Sequence, residues 1–184
     1  MLPSRFWVPN MTTPRNARML TRYNAWADDL IHAAVAKLPE GEALKPRKSV
    51  FKNIVHTLNH NYVIDLIFQA HLEGREHGFA ARNTPESPPL EQLSQAQHQL
   101  NDWYIDWSDR LTESALNEKV EFTFVGGGEG VMTRGEILQH LVTHTSYHRG
   151  FVAQLFWEIP TTPPTRVPTT DLTIFLRDVP LKLD

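Results

Sequence analysis

Residues 136–157 read EILQHLVTHTSYHRGFVAQLFW, and the reading of this stretch decides the fold. Wound as a helix, it places Ile137, Leu141, His144, His148, Phe151, Val152 and Leu155 within an arc of about 100°, the width of a core-facing stripe. Two imidazoles therefore point where the aliphatic side chains point. A buried polar group without a partner costs on the order of 1–3 kcal/mol, so His144 and His148 need something to satisfy them. Residues four apart on a helix have Cβ atoms about 5–6 Å apart. Two imidazole nitrogens can then meet on one metal at roughly 2.0–2.1 Å. The expectation is a buried helix whose partner helices bring at least one more histidine to that point.

The rest of the chain agrees with a helical core. It has 184 residues, enough for one domain with a real core. Hydrophobic residues make up 41% and charged residues 21%, which is globular rather than disordered composition. A formal net charge of -3 gives no basic footprint for nucleic acid. There is no cysteine, which excludes disulfides, thiolate metal sites and a cysteine nucleophile. The N-terminal residues lack the charged and apolar regions of a signal peptide, and no apolar run is long enough to span a membrane. A soluble cytoplasmic protein is expected.

Upstream, residues 1–12 read as an irregular leader containing Pro3 and Pro9. A first helix is expected over residues 13–38, where Tyr23, Ala27, Leu30, Ala34 and Leu38 recur at helical spacing. A second is expected from Ser49, as N-cap, to Glu73, with Val50, Ile54, Leu58, Ile64, Ile67, Phe68 and Leu72 as its apolar set. Residues 74–89 are loop, and a third helix follows over residues 90–112. Then the period changes: VEFTFV at residues 120–125, GGGEG, Val131 and Met132 predict a small hairpin or extended excursion. The glycines are no phosphate loop, because no G-K-[ST] follows. Thr133 and Glu136 form an S/T-x-x-E capping box for the last long helix, which ends by Pro160. An extended, proline-rich tail over residues 160–184 carries a short terminal helix capped by Thr170 or Asp171. Four long amphipathic helices with one core predict an all-α, four-helix bundle.

Nine histidines must then be sorted. His32, His77 and His98 read as exposed or loop residues, and His71 as a stacking or capping group near the end of helix 2. His140 lies beside His144 on the wheel, close enough to ligate, to support a ligand, or to face solvent. Helix 2 offers His56 and His60 at the same four-residue spacing, and the wheel does not choose between them. Three histidines on one metal leave a coordination position open, the pattern of catalytic rather than structural zinc sites. No Glu-x-x-His occurs, against a di-iron carboxylate bundle, and no His-Glu-x-x-His, against a zincin. The other singled-out residues read structurally: Trp26 as core, Asp65 as a bond to another helix, and Arg149 as a salt bridge or dimer contact. Gly150 reads as a close helix approach, and Tyr104 as a phenol within reach of a pocket.

In order and spacing, these segments resemble the DinB family of the DinB/YfiT-like superfamily. YNAWADDLI (residues 23–31) resembles the family's Tyr-Asn-x-Trp-Ala-Asn opening. TLNHNYVIDLIF (residues 57–68) resembles its Leu-Asn-His…Asp…Trp segment, with Phe68 in place of tryptophan. HLVTHTSYHRGFV (residues 140–152) resembles His-x-x-x-His-x-x-x-His-Arg-Gly-Gln, with Phe151 in place of glutamine. TTDLTIFL, near the end, is similar to its Asp-containing terminal segment. The resemblance covers nearly the whole chain as one domain over residues 1–184. It implies a four-helix bundle with a characteristic connection between helices 2 and 3, and it carries the ligand triad over as His60, His144 and His148. It also implies a homodimer.

Three imidazoles favour zinc, nickel, copper or iron over magnesium or calcium. Zinc or nickel leads in this reading, with iron next. An open position on such a metal points to a metal-dependent enzyme acting on a small molecule. The resemblance favours a thiol-dependent transferase, with a low-molecular-weight thiol as partner, and a hydrolase next. The contrasting expectation is a non-enzymatic stress-related binding module or metal sensor whose metal is structural. Such a site needs a fourth protein ligand, for which His56 and His140 are the candidates.

Overall fold

A computed structural model describes residues 12–160 and 166–181. Four long helices, α1 (Pro14–Val35), α2 (Ile54–Leu72), α3 (Leu90–Asp109) and α5 (Arg134–Phe156), are accompanied by two short ones, α4 (Glu113–Leu116) and α6 (Leu172–Asp178). Between α4 and α5, strands β1 (Lys119–Thr123) and β2 (Glu129–Thr133) pair antiparallel. The fold is thus helical with one small hairpin. The leader assigned to residues 1–12 lies, but for Thr12, outside the described residues, as do residues 161–165 and 182–184 of the tail.

Helices α1, α2, α4 and α5 start where a side chain takes up an orphan N–H. Thr13 accepts from the Asn16 N–H at 3.2 Å, with Pro14 in the first helical position. The capping box at α5 forms: the Thr133 hydroxyl accepts from the Glu136 N–H at 3.2 Å, and the Glu136 carboxylate accepts from the Thr133 N–H at 2.7 Å. Helix α2 departs from expectation. Its cap is Asn53, accepting from the His56 N–H at 2.7 Å, not Ser49. Lys52 sits at φ +65°, which no helix tolerates, and Val50, read as apolar helix face, is 80% exposed. Helix α3 also stops short of residue 112, because Thr112 caps α4 through the Ala115 N–H at 3.1 Å.

The four long helices pack in a ring, α1 to α3 to α2 to α5 and back to α1. Helices α1 and α2, consecutive in sequence, therefore lie across a diagonal. In the hairpin Phe122 faces Gly130, where an added Cβ would come within 2.6 Å of the phenyl ring. Phe175 of α6, 1% exposed, docks on Tyr23 and Trp26 of α1, so Trp26 packs on the core as expected.

The core is split. One apolar cluster runs through Ala27, Ile64, Leu100 and Leu141, and a second through Ile31, Leu58, Leu93 and Val152. Every long helix crosses from one cluster to the other through polar residues: Asp28 on α1, Asn59, His60 and Asn61 on α2, Gln97 on α3, Thr145, His148 and Arg149 on α5. All of these are buried. A polar belt cuts the bundle at its waist, and the candidate site is part of it.

Candidate metal centre

Where α2 packs on α5, His60 meets His144 and His148. One ring nitrogen of each lies within 4.8 Å of the others, and three histidines this close could hold a metal ion. His60 and His148 are buried and His144 half-buried. The His60 Nε2 and His144 Nε2 atoms are 3.2 Å apart. His60 Nδ1 sits 2.8 Å from the Arg82 carbonyl oxygen, which can only accept, so Nδ1 carries the proton and Nε2 keeps its lone pair for the centre. A ring N–H donated to a carbonyl is the usual orienting partner of a metal-bound histidine.

The loop that supplies this carbonyl is pinned by the neighbouring residue. Asn59, fully buried, accepts at Oδ1 from the Thr84 N–H at 3.0 Å, the Thr84 hydroxyl at 2.9 Å and the Asn83 side-chain amide at 3.4 Å. Asn83 also donates to the His56 carbonyl at 2.8 Å. Successive residues of α2 thus do linked work: Asn59 holds the loop, and the loop orients His60. His56 faces the same loop, its Nδ1 3.1 Å from Ser87 Oγ, and does not join the triad. His140 lies against Phe68, with ring centroids 4.9 Å apart, and 5.5 Å from His144; it too stands outside the triad.

Burial, and then the neighbouring imidazoles, push His144 down to about 3; burial and His60 push His148 to about 4. Burial also lowers His60. All three are neutral at pH 7, the form that ligates. His144 and His148 each leave a buried Nδ1 without a hydrogen-bond partner. Neutral, crowded imidazoles with no carboxylate among them fit a borderline transition metal rather than magnesium or calcium.

Sequence reasoning missed Phe51. Its ring stacks on His60 at 4.5 Å and 27° and meets His148 edge-on at 5.0 Å. The residue precedes α2, in a turn where the Asn53 N–H reaches the Phe51 carbonyl at 2.7 Å around Lys52. That is a γ-turn at positive φ, a rare conformation outside glycine, and no sequence pattern announced it. The loop partners of His60 were equally hidden, although Asn59 stood inside the Leu-Asn-His segment already quoted.

The other singled-out residues have structural places. Arg149 is 2% exposed and lies on the buried side of α5, where it pairs with Asp28 at 2.8 Å and Asn24 Oδ1 at 2.8 Å. Asp65 accepts from Gln97 of α3 at 3.0 Å, a bond to another helix as expected. The Tyr104 hydroxyl donates to the Asp65 carbonyl at 2.7 Å and is buried, so it supplies no phenol to the site. A Cβ on Gly150 would meet nothing within 4 Å, so no helix approaches there. His32 is buried, not exposed, with Nδ1 2.8 Å from Ser94 Oγ. His71 stacks on Phe122 at 4.9 Å, and His98 lies on the surface beside Asp29.

Protein DinB of Bacillus subtilis (strain 168) is 27% identical over 142 residues, covering 74% of this chain and 81% of that protein. The model of the DinB family matches residues 11–169, from before α1 to beyond α5. The chain belongs to the DinB family.

Proposed function

We propose that His60, His144 and His148 bind one divalent transition metal, zinc or nickel before iron, and that the chain is a metal-dependent enzyme acting on a small molecule. The single observation that carries this is the triad itself: neutral, mostly buried imidazoles converging from two helices, one of them oriented by a carbonyl. A metal bound there would supply Lewis acidity and lower the pKa of a coordinated water or thiol. The protein's own part is to hold three neutral donors, fix the His60 tautomer through Arg82, and keep the surroundings apolar with Phe51. His140, half-buried with its ring 5.5 Å from His144, stands beside the triad without joining it.

A catalytic site needs a free position, and among the described residues no fourth ligand joins the triad. His56 is turned to Ser87 and His140 packs on Phe68, which favours an open site over a structural one. Thiol-dependent transfer is the favoured chemistry and metal-assisted hydrolysis the next. With no cysteine in the chain, the thiol comes as a low-molecular-weight partner. No helix among the described residues is long and apolar enough to cross a membrane. A homodimer is part of this reading, and sedimentation velocity would test it.

The deciding experiment is metal content by mass spectrometry on untagged protein. About one metal per chain is expected in the wild type and in His140→Gln. It should be lost in His60→Ala and in His144→Ala/His148→Ala while the helical circular dichroism persists. A wild type that takes up no metal after supplementation overturns the reading.

A further inference from the structure

Along α5, on the side of the hairpin, runs a groove of about 710 Å³, a volume within the usual range of small-molecule sites. Leu20 of α1, Val131 and Met132 of β2 and Val142 of α5 give it apolar walls. Val131 is 56% exposed, so it offers the groove an uncovered apolar surface. Glu136, Gln139, His140 and Thr143 line it as well, at the i, i+3, i+4 and i+7 spacing of one helix face. Two of these four are tied to their own helix. The Glu136 carboxylate accepts from the Thr133 N–H at 2.7 Å, and the Thr143 hydroxyl donates to the Gln139 carbonyl at 2.8 Å. Among the described lining residues Glu136 alone is charged, and its charge serves the start of α5, so nothing in the lining selects an ionic ligand.

The groove also has a direction. Val131, Met132 and Glu136 lie at the start of α5, whereas His140 stands one turn before His144, with the two rings 5.5 Å apart. From Glu136 to His144 the helix rises about 12 Å, at about 1.5 Å per residue. An apolar chain of that length can lie in the groove with its head at the triad.

Resting on the metal-binding reading above, we infer that the small molecule handled at the triad carries an elongated, uncharged apolar body, and that this groove between β2 and α5 holds it. Val131 supplies apolar contact from the hairpin. Thr143, small and bonded to its own backbone, leaves the width of the groove free. His140, at the triad end, lies beside the junction between the apolar body and the reacting head.

The test uses protein loaded with cobalt(II), whose visible bands shift when a hydroxamate enters the coordination sphere. The probes are acetohydroxamic acid, which reaches the metal alone, and octanohydroxamic acid, which adds an alkyl chain. The longer probe should bind about tenfold tighter or more. Val131→Asp, which puts a charge on the apolar wall, and Thr143→Trp, which fills the groove, should each narrow that gap. Both positions are exposed and outside the triad, so the fold and the affinity for acetohydroxamic acid should stay. Equal affinity for the two probes overturns the inference and leaves the metal site standing, as does a gap that both variants leave unmoved. Octanohydroxamic acid binding that tightens as the protein is diluted overturns it too, because a second copy of the chain would then cover the groove. Failure to bind cobalt, or cobalt bands that neither hydroxamate shifts, instead overturns the reading on which the inference rests.

Discussion

Asp65 carries a carboxyl group in a place that disfavours its ionisation. It is 2% exposed, receives one hydrogen bond from Gln97 at Oδ2, and leaves Oδ1 buried without a partner. Burial first, and then Asp28, raise its pKa well above the usual carboxylate range. In the unfolded chain the group ionises near the ordinary value, about 4, while the fold keeps its proton to higher pH. Between those two values the folded state binds more protons, so stability falls as pH rises. Asp65→Asn keeps an acceptor for Gln97 and removes the titration. Its melting temperature should therefore gain on the wild type as pH goes from about 4 to about 8, by several degrees at the upper end. A gap that stays constant across that range would mean that Asp65 is ionised in the fold. The helical wheel already set Asp65 toward another helix. Its protonation state was not legible, because Gln97 and Asp28 arrive from helices far away in sequence.

Between α2 and the loop after it, stability and metal affinity should move together. Asn59 Oδ1 gathers three donors from Asn83 and Thr84, and the same loop gives its Arg82 carbonyl to His60. Asn59→Ala leaves those donors short of an acceptor and should cost about 1–3 kcal/mol in urea unfolding. With the loop released, His60 loses the carbonyl that fixes its tautomer, and affinity in a chelator competition should fall about 10- to 100-fold. Asn59→Asp keeps the acceptor and should retain most of that affinity. Loss of stability with unchanged affinity would confine Asn59 to a packing role. The elements themselves were largely legible, since local rules govern them. Thr133 and Glu136 announced α5, and the alternation in VEFTFV announced the hairpin. The start of α2 was misread because Ser49 and Val50 fit a helix locally. The turn at Lys52 is instead fixed by Arg47, Glu42 and Asn53, and such contacts leave no period in the sequence.

Across the whole molecule, the belt between the two apolar clusters is a sacrifice of core. Buried ion pairs give little net stability relative to well-packed apolar residues, yet breaking one side of such a pair is costly. Arg149 joins α5 to α1 through Asp28 and Asn24, while His148, the preceding residue, turns to α2. Residues 148 and 149 thus fix α5 against both its neighbours at one level. The histidine half of the belt was legible from spacing and resemblance. Arg149 was legible only as a salt bridge or dimer contact, because α5 buries a broader face than the arc through His144 and His148 suggested. Leu138, Val142, Thr145 and Arg149 are all buried on it. If the pair serves alignment rather than stability, its two halves should be strongly non-additive. Arg149→Met alone strands the Asp28 carboxylate in the core and should cost about 3–5 kcal/mol in urea unfolding. Adding Asp28→Leu removes the stranded charge and should restore most of that loss. The restored protein should still report the belt's second duty. With α1 and α5 held by apolar contact only, the triad keeps its residues and loses part of its alignment, so metal affinity should stay below wild type while stability recovers. Full recovery of both would show that the ion pair aligns nothing. A double variant no more stable than Arg149→Met would instead mean that Asn24 and Asn101, which both donate to Asp28, depend on that carboxylate as much as Arg149 does.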